Sequence, residues 1–134
     1  MIRGSCLCKS VKFEINDKIL VMANCHCSEC RKFTGSAFGT LAFCKKNDFK
    51  FITGDEFIAN YILSEKFTRT FCKKCGSPLP VKDHDKFNGL IGIPAGLLDD
   101  NPNIKPTKHL FTIDKAPWWD ITDNIQQFDE WPNL

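Results

Sequence analysis

Hydrophobic and polar residues alternate over several short segments of this 134-residue chain. Residues 11–15 (VKFEI) and 49–53 (FKFIT) carry apolar side chains at every second position, as expected of strands that are buried on one face. An Asn-Asp pair at 16–17 and a Gly-Asp pair at 54–55 follow these segments and predict turns. The pattern therefore favours half-buried strands that are separated by tight turns.

The other apolar segments are also short, and each has about the length of one β-strand. We predict a first segment over residues 2–8 and further strands over residues 19–23, 37–44, 57–63, 66–71, 90–93 and 109–113. Residues 64–65 predict a turn, and the Pro- and Asn-rich residues 99–106 predict a loop. Because no linker or repeat divides the chain, we predict a single, mainly β domain over residues 1–134.

Two helical segments are expected among the strands. Residues 28–32 have the composition of one helical turn, and Gly35 follows as its expected end. Residues 123–128 predict a second short helix, in a tail that mixes apolar and acidic residues.

Three cysteines lie within six residues, at Cys25, Cys27 and Cys30, with the spacing C-x-C-x-x-C. An extended backbone points Cys25 and Cys27 to the same face, and a turn or a short helix can bring Cys30 beside them. Zinc binds thiolate sulfur at about 2.3 Å, and catalytic zinc sites use three protein ligands and keep a fourth position open. No further ligand follows nearby in the sequence, so this segment predicts a zinc site with an open position.

Two further pairs of cysteines, Cys6 with Cys8 and Cys72 with Cys75, are spaced as metal ligands. Together they would form a closed site of four sulfurs, which is typical of structural zinc. The spacing leaves a second grouping open, in which Cys72 and Cys75 share a site with Cys25 and Cys27. Cys44 has the surroundings of a buried apolar residue, and its alternative role is a fourth ligand that closes the three-cysteine site.

Composition favours metal binding over disulfide bonds. Eight cysteines in a chain without an apolar N-terminal leader indicate metal sites in a reducing compartment, and we predict a cytoplasmic protein. No apolar run is long enough to cross a bilayer, so no membrane partner is expected. The formal charge of +2 becomes nearly neutral once seven cysteines ionise and two zinc ions bind, which argues against a nucleic-acid partner.

A wider pattern joins the cysteine motifs to later parts of the chain. Its segments are 6–8 (CLC), 25–32 (CHCSECRK), 71–78 (FCKKCGSP), 97–100 (LLDD), 105–111 (KPTKHLF) and 116–118 (APW). This pattern resembles the glutathione-dependent formaldehyde-activating enzyme family, which includes centromere protein V-like proteins. The resemblance implies a β-tent-like fold of small antiparallel sheets stapled by zinc. It also implies a zinc-dependent carbon–sulfur lyase that condenses glutathione with formaldehyde to S-hydroxymethylglutathione.

The same resemblance implies two zinc ions per chain, one structural and one catalytic. The ligands implied for the structural ion are Cys6, Cys8, Cys72 and Cys75. The ligands implied for the catalytic ion, where the sulfur of glutathione binds, are Cys25, Cys27 and Cys30.

Charged residues beside the cysteines are candidates for roles in this reaction. His26 and Glu29 are candidate proton donors to the new alkoxide, and Arg31 and Lys32 are candidates to bind the carboxylates of glutathione. Three thiolates leave a zinc site with net negative charge, which favours holding a thiolate over activating water. The expected partners are therefore a small thiol such as glutathione and a small electrophile, and the sequence does not indicate an oligomeric state.

Each of these assignments has a structural alternative. His26 can instead lie at the surface or hydrogen-bond near a metal ligand, and His109 is interpreted as a structural histidine with satisfied hydrogen bonds. Trp118 and Trp119 are interpreted as packing residues, or as walls of a substrate pocket. For the whole protein, the alternative to an enzyme is a zinc-stabilised binding module without catalysis.

Overall fold

The chain folds into three small β-sheets, and one short α-helix accompanies them in the residues that the structure describes. A computed structural model describes residues 1–65, 67–81 and 88–132. The strands are β1 (Ile2–Ser5), β2 (Lys12–Ile15), β3 (Val21–Cys25), β4 (Gly39–Lys45), β5 (Phe49–Thr53), β6 (Ile58–Ser64), β7 (Phe67–Cys72), β8 (Leu90–Pro94), β9 (Lys108–Leu110) and β10 (Gln126–Gln127). The predicted mainly β fold is confirmed.

The strands pair mostly with neighbours that run in the opposite direction. An antiparallel sheet has the order β1-β2-β5, and β6 and β7 form a separate antiparallel pair. The largest sheet has the order β10-β9-β3-β4-β8. Its strands β3, β4 and β8 are antiparallel, whereas β9 runs parallel to both β3 and β10. This mixed sheet differs from the expectation of antiparallel sheets alone, because β9 reaches β3 through a long connection instead of a hairpin.

The alternating pattern of the second strand directs its apolar side chains into the core. Val11, Phe13 and Ile15 are at most 1% exposed, and the charged residues between them lie closer to solvent. Gly4 pairs with Phe13 across the sheet, and a Cβ atom on Gly4 would lie only 2.1 Å from the aromatic ring. The ring therefore occupies the space that any larger residue at Gly4 would need.

Helix α1 spans Ser28–Thr34, longer than the single turn that the sequence predicts. The Cys27 sulfur caps its first turn by accepting a hydrogen bond from the Cys30 amide at 3.3 Å. Gly35 ends the helix with a left-handed φ of 65°, as its position predicted. The described residues contain no helix with the length and hydrophobicity that crossing a bilayer requires.

The tail is extended where a helix was predicted. Residues 126–127 form β10, and the Phe128 amide donates a hydrogen bond to the His109 carbonyl at 2.9 Å. The prediction of a helix over 123–128 was therefore wrong, because pairing with a distant strand overrides weak local preference.

Several strand boundaries also differ from the predictions: β1 ends at Ser5 rather than at residue 8, β3 starts at Val21 rather than at residue 19, and β4 starts at Gly39 rather than at residue 37. The last predicted strand, 109–113, ends early because Phe111 has a left-handed φ of 56° and begins a 3-10 turn. The predicted start of another strand at Lys66 lies outside the described residues, and the strand is confirmed from Phe67 onward.

Cys44 lies in the main core and is fully buried. Its neighbours in this cluster include Ala42, Ile91 and Ile93. Burial raises the pKa of the Cys44 thiol to about 11, so the side chain is a neutral apolar group. The interpretation of Cys44 as a buried small hydrophobic residue is confirmed.

Replacing Cys44 by alanine removes a buried sulfur without removing a member of either predicted metal site. We expect the free energy of unfolding to fall by about 1 kcal/mol and the metal content per chain to stay unchanged. Chemical denaturation and elemental analysis of the purified variant would measure both quantities. Loss of one metal equivalent would instead identify Cys44 as a ligand.

Candidate metal centre and active site

Four cysteine sulfurs converge where the turn after β1 meets the end of β7. This four-thiol group consists of Cys6, Cys8, Cys72 and Cys75, whose sulfurs all lie within 4.8 Å of one another. The Cys6–Cys8 and Cys8–Cys72 sulfur pairs are 3.6 and 3.8 Å apart. Sulfurs at the corners of a zinc tetrahedron are separated by about 3.8 Å when each bond is about 2.3 Å long. The four-thiol group therefore fits a tetrahedral metal ion, and the alternative grouping of its later pair is not observed.

Local hydrogen bonds hold the two halves of this group in place. The Val11 amide donates to the Cys6 sulfur at 3.3 Å, and Gly76, with a φ of 78°, donates its amide to the Cys72 carbonyl. The Cys75 sulfur lies 3.3 Å from the Ser77 hydroxyl, and this contact lowers the pKa of Cys75 to about 5. Amides and hydroxyls that face sulfur in this way suit thiolate rather than thiol.

A second group of sulfurs forms where β3 meets α1. This three-thiol group consists of Cys25 at the end of β3, Cys27 at the helix cap and Cys30 within the helix, and its sulfurs also lie within 4.8 Å of one another. In the described part of the chain, no fourth cysteine, histidine or carboxylate completes the group. Three soft sulfur donors fit zinc with one position left for another ligand.

A cavity of about 300 Å³ opens directly beside the three-thiol group. Its lining includes all three cysteines, and Phe67, Phe111 and Trp131 form aromatic walls. The rings of Phe111 and Trp131 pack edge to face with their centroids 5.3 Å apart. A partly apolar cavity of this size, with reactive groups at one side, is suited to a small molecule.

Arg69 also lines this cavity, although it is not among the candidate residues of the sequence analysis. The side chain lies on β7, is 7% exposed, and its Nη2 donates a hydrogen bond to the Cys30 sulfur at 3.4 Å. The guanidinium carbon lies over the rings of Phe33 and Phe67, at 5.0 and 4.8 Å from their centroids. The sequence pattern that indicates burial of Arg69 is the alternation in β7, because Arg69 lies on the same face of the strand as the apolar residues Phe67 and Phe71.

Neighbouring thiols and this cation together shift the protonation of the three-thiol group. Hydrogen bonds from Cys25 and Cys27 lower the pKa of Cys30, and the charge of Arg69 acts in the same direction. The same pairing raises the pKa of Cys25, since one proton is shared among close sulfurs. The contact with Arg69 therefore favours negative charge at Cys30.

Among the charged residues that the sequence singled out, only Glu29 lines the cavity. Arg31 and Lys32 lie on α1 outside its lining, and the buried Nε of Arg31 has no hydrogen-bond partner among the described residues. Among the described residues, the cation that lines the cavity is thus Arg69 on β7, and the predicted pair on the helix does not line it.

His26 belongs to a separate buried network behind the sulfurs. Its Nε2 shares a hydrogen bond of 2.8 Å with Nδ1 of His109, and Nε2 of His109 lies 3.1 Å from both carboxylate oxygens of Asp123. Burial lowers the pKa of His26 to about 4, so its ring is neutral near pH 7. His26 is absent from the cavity lining, and His109 is buried with both ring nitrogens paired, as a structural histidine should be.

The two adjacent tryptophans lie away from the cavity. Trp118 is 67% exposed, which contradicts its interpretation as a packing residue. Trp119 is partly exposed and packs edge-on against Phe38, which in turn contacts His26. The tryptophan that does wall the cavity is Trp131, in a tail whose position depends on the pairing of β10 with β9.

Fold and site together define a small, mainly β protein with one closed and one open cysteine group. The sequence profile of the glutathione-dependent formaldehyde-activating enzyme family matches residues 1–114, and the chain belongs to that family. An uncharacterized lyase of Schizosaccharomyces pombe is 30% identical over 125 residues, which cover 93% of this chain and 88% of the relative. A Rhodobacter sphaeroides protein of known crystal structure shares the fold, with a TM-score of 0.62 and 21% identity over 78% of this chain and 91% of that chain.

Replacing His109 by leucine tests the buried network. The change leaves Nε2 of His26 buried without a partner, and we expect the free energy of unfolding to fall by about 1–3 kcal/mol. Denaturant unfolding of the purified variant would measure the loss. Trp118→Ala, at an exposed site in the same part of the chain, should change stability by less than about 0.5 kcal/mol. Equal stability of both variants would contradict a supporting role for the network.

Proposed function

We propose that this protein is a zinc-dependent carbon–sulfur lyase that condenses a small thiol, in the first instance glutathione, with formaldehyde. The product would be S-hydroxymethylglutathione. The observation that carries the proposal is that three convergent cysteine sulfurs face a cavity of about 300 Å³. Membership of a family of glutathione-dependent formaldehyde-activating enzymes and a relative that is named a lyase support it.

The two cysteine groups suit different roles for zinc. The four-thiol group offers a complete tetrahedral set and suits a structural ion, whereas the three-thiol group suits a catalytic one. Zinc held by Cys25, Cys27 and Cys30 would supply positive charge that stabilises the ionised form of a thiol beside it.

The proposed reaction forms one carbon–sulfur bond without oxidation or reduction. The thiol sulfur bonds to the carbonyl carbon of formaldehyde, the π electrons move to the carbonyl oxygen, and the proton lost from the thiol ends on that oxygen. Of the two candidate donors, His26 and Glu29, Glu29 lines the cavity, so we assign the proton transfer to it. His26 lies outside the lining and is bonded to His109, so we assign it a supporting role.

The cavity walls supply the remaining requirements of the reaction. Phe67, Phe111 and Trp131 present apolar surface that limits water around the reacting sulfur. Arg69 provides the fixed positive charge next to the sulfurs. Arg31 and Lys32 do not line the cavity, so we do not assign binding of the substrate carboxylates to them.

A zinc-stabilised binding module remains the second candidate function. It is favoured by exposed apolar side chains on β6, where Tyr61 is 62% and Ile62 is 72% exposed. Such residues on an outer strand are typical of surfaces that contact another protein. In that case both metal ions would be structural and equally resistant to a mild chelator.

The enzymatic proposal is tested by exchange spectroscopy of glutathione and formaldehyde with the zinc-loaded protein. We expect the protein to accelerate exchange between the free reactants and the adduct, and Cys30→Ala to abolish the acceleration. Cys44→Ala is the matched control, because it removes a buried cysteine outside both groups and should leave the rate unchanged. Identical exchange rates with and without the native protein would rule out the formaldehyde reaction.

Loss of each metal should have a different consequence. Cys30→Ala should lose one metal equivalent and still fold. Cys72→Ala should lose the metal that joins β7 to the first turn, and its free energy of unfolding should fall by several kcal/mol. Elemental analysis and thermal unfolding of both variants would separate these outcomes. Equal stability of the two variants would argue against distinct structural and catalytic ions.

A further inference from the structure

We propose that Arg69 is a positioning residue that neutralises the negative charge of the three-thiol group and thereby lets it accept the thiolate of a substrate. The inference rests on the proposed function, since it concerns the zinc-loaded form of that group. It goes beyond that function because it identifies Arg69, a strand residue outside the cysteine motifs, as the group that allows the metal site to bind a fourth thiolate.

The contacts of Arg69 fix its guanidinium against one sulfur. Nη2 is 3.4 Å from the Cys30 sulfur, and the guanidinium lies over the rings of both Phe33 and Phe67. A guanidinium stacked on aromatic rings has few orientations, so its hydrogen bond to sulfur is maintained without further partners.

The sulfurs also supply the counter-charge that buried Arg69 needs. The side chain is 7% exposed, and its Nε has no hydrogen-bond partner among the described residues. Within residues 1–65, 67–81 and 88–132, no carboxylate forms an ion pair with it. A buried cation is costly without an anion, and Cys30 is the anionic group that it contacts.

This contact changes the charge of the metal site. Zinc with three thiolates carries one net negative charge, and a fourth thiolate would raise that to two. With the guanidinium included, the unit is neutral before the substrate binds and carries a single negative charge afterwards. Repulsion of the incoming thiolate is therefore reduced whatever other groups the thiol carries.

A different role for Arg69, binding a carboxylate of glutathione, would have another signature. Charge compensation at the sulfurs affects every thiol equally, whereas carboxylate binding affects only thiols that carry a carboxylate. Glutathione and the uncharged thiol 2-mercaptoethanol therefore distinguish the two roles.

The first measurement needs no thiol and no activity. In Arg69→Met, we expect the more easily chelated metal ion to be bound about 10–100-fold more weakly than in the native protein. With cobalt(II) in place of zinc, the sulfur-to-metal charge-transfer band should also shift, because Cys30 loses a hydrogen bond. Arg3→Met is the matched control, since Arg3 pairs with Asp100 on the exposed surface, and it should change neither quantity.

The second measurement is a titration of the cobalt-loaded protein with each thiol. We expect Arg69→Met to lower the affinity for both thiols by the same factor, about tenfold or more. Arg69→Lys should recover part of this affinity, because lysine keeps the charge but not the planar group that stacks on the rings. If Arg69→Met does not fold, Arg69→Gln replaces it, with the same expected losses.

Three results would overturn the inference. These are unchanged metal affinity in folded Arg69→Met or Arg69→Gln, unchanged affinity for both thiols, and a loss confined to glutathione. If the native protein binds neither thiol at its metal, the proposed function fails and acceptance of a substrate thiolate fails with it. The metal affinities measured without thiol still decide separately whether Arg69 compensates the charge of the sulfurs.

Discussion

Cysteine sulfurs from distant parts of the chain converge in this fold and hold its small sheets together. The four-thiol group ties the turn after β1 to the end of β7, where Cys8 and Cys72 are separated by 64 positions in the sequence. Arg69 lies three residues before Cys72 on the same strand, so fixing the end of β7 also places the guanidinium against Cys30. The closed group thereby supports the open one, although the two share no ligand.

The open group is supported from its other side by hydrogen bonds between rings. His26 is held between two cysteines of the motif, and its partner His109 lies on β9, next to β3 in the sheet. Asp123 is the last member of this series of hydrogen bonds, and it lies in the tail, beyond the residues that the family profile matches. The backbone that carries Cys25 and Cys27 is therefore supported by a buried histidine whose pKa burial lowers.

Metal binding and apolar packing have complementary roles in this fold. The main core contains Phe13, Ile15, Ile91 and Ile93, but the β6–β7 pair lies at its margin and keeps exposed apolar side chains. A two-stranded unit is marginally stable by itself in water. Sulfur ligands at the end of β7 can supply the missing stability, because the free energy of metal binding is available only when the fold brings them together.

Features that depend on neighbouring residues could be read directly from the sequence. The cysteine spacings, the alternation in β2 and β5, and the end of α1 at Gly35 are of this kind, because side-chain direction and backbone φ are local properties. The partner of Cys72, the cation beside Cys30 and the tryptophan that walls the cavity required the folded chain. Arg69 and Trp131 reach the sulfurs only through strand pairing between remote segments, and the tail became β10 for the same reason. Contacts of this range depend on how the sheets assemble, which no local pattern specifies.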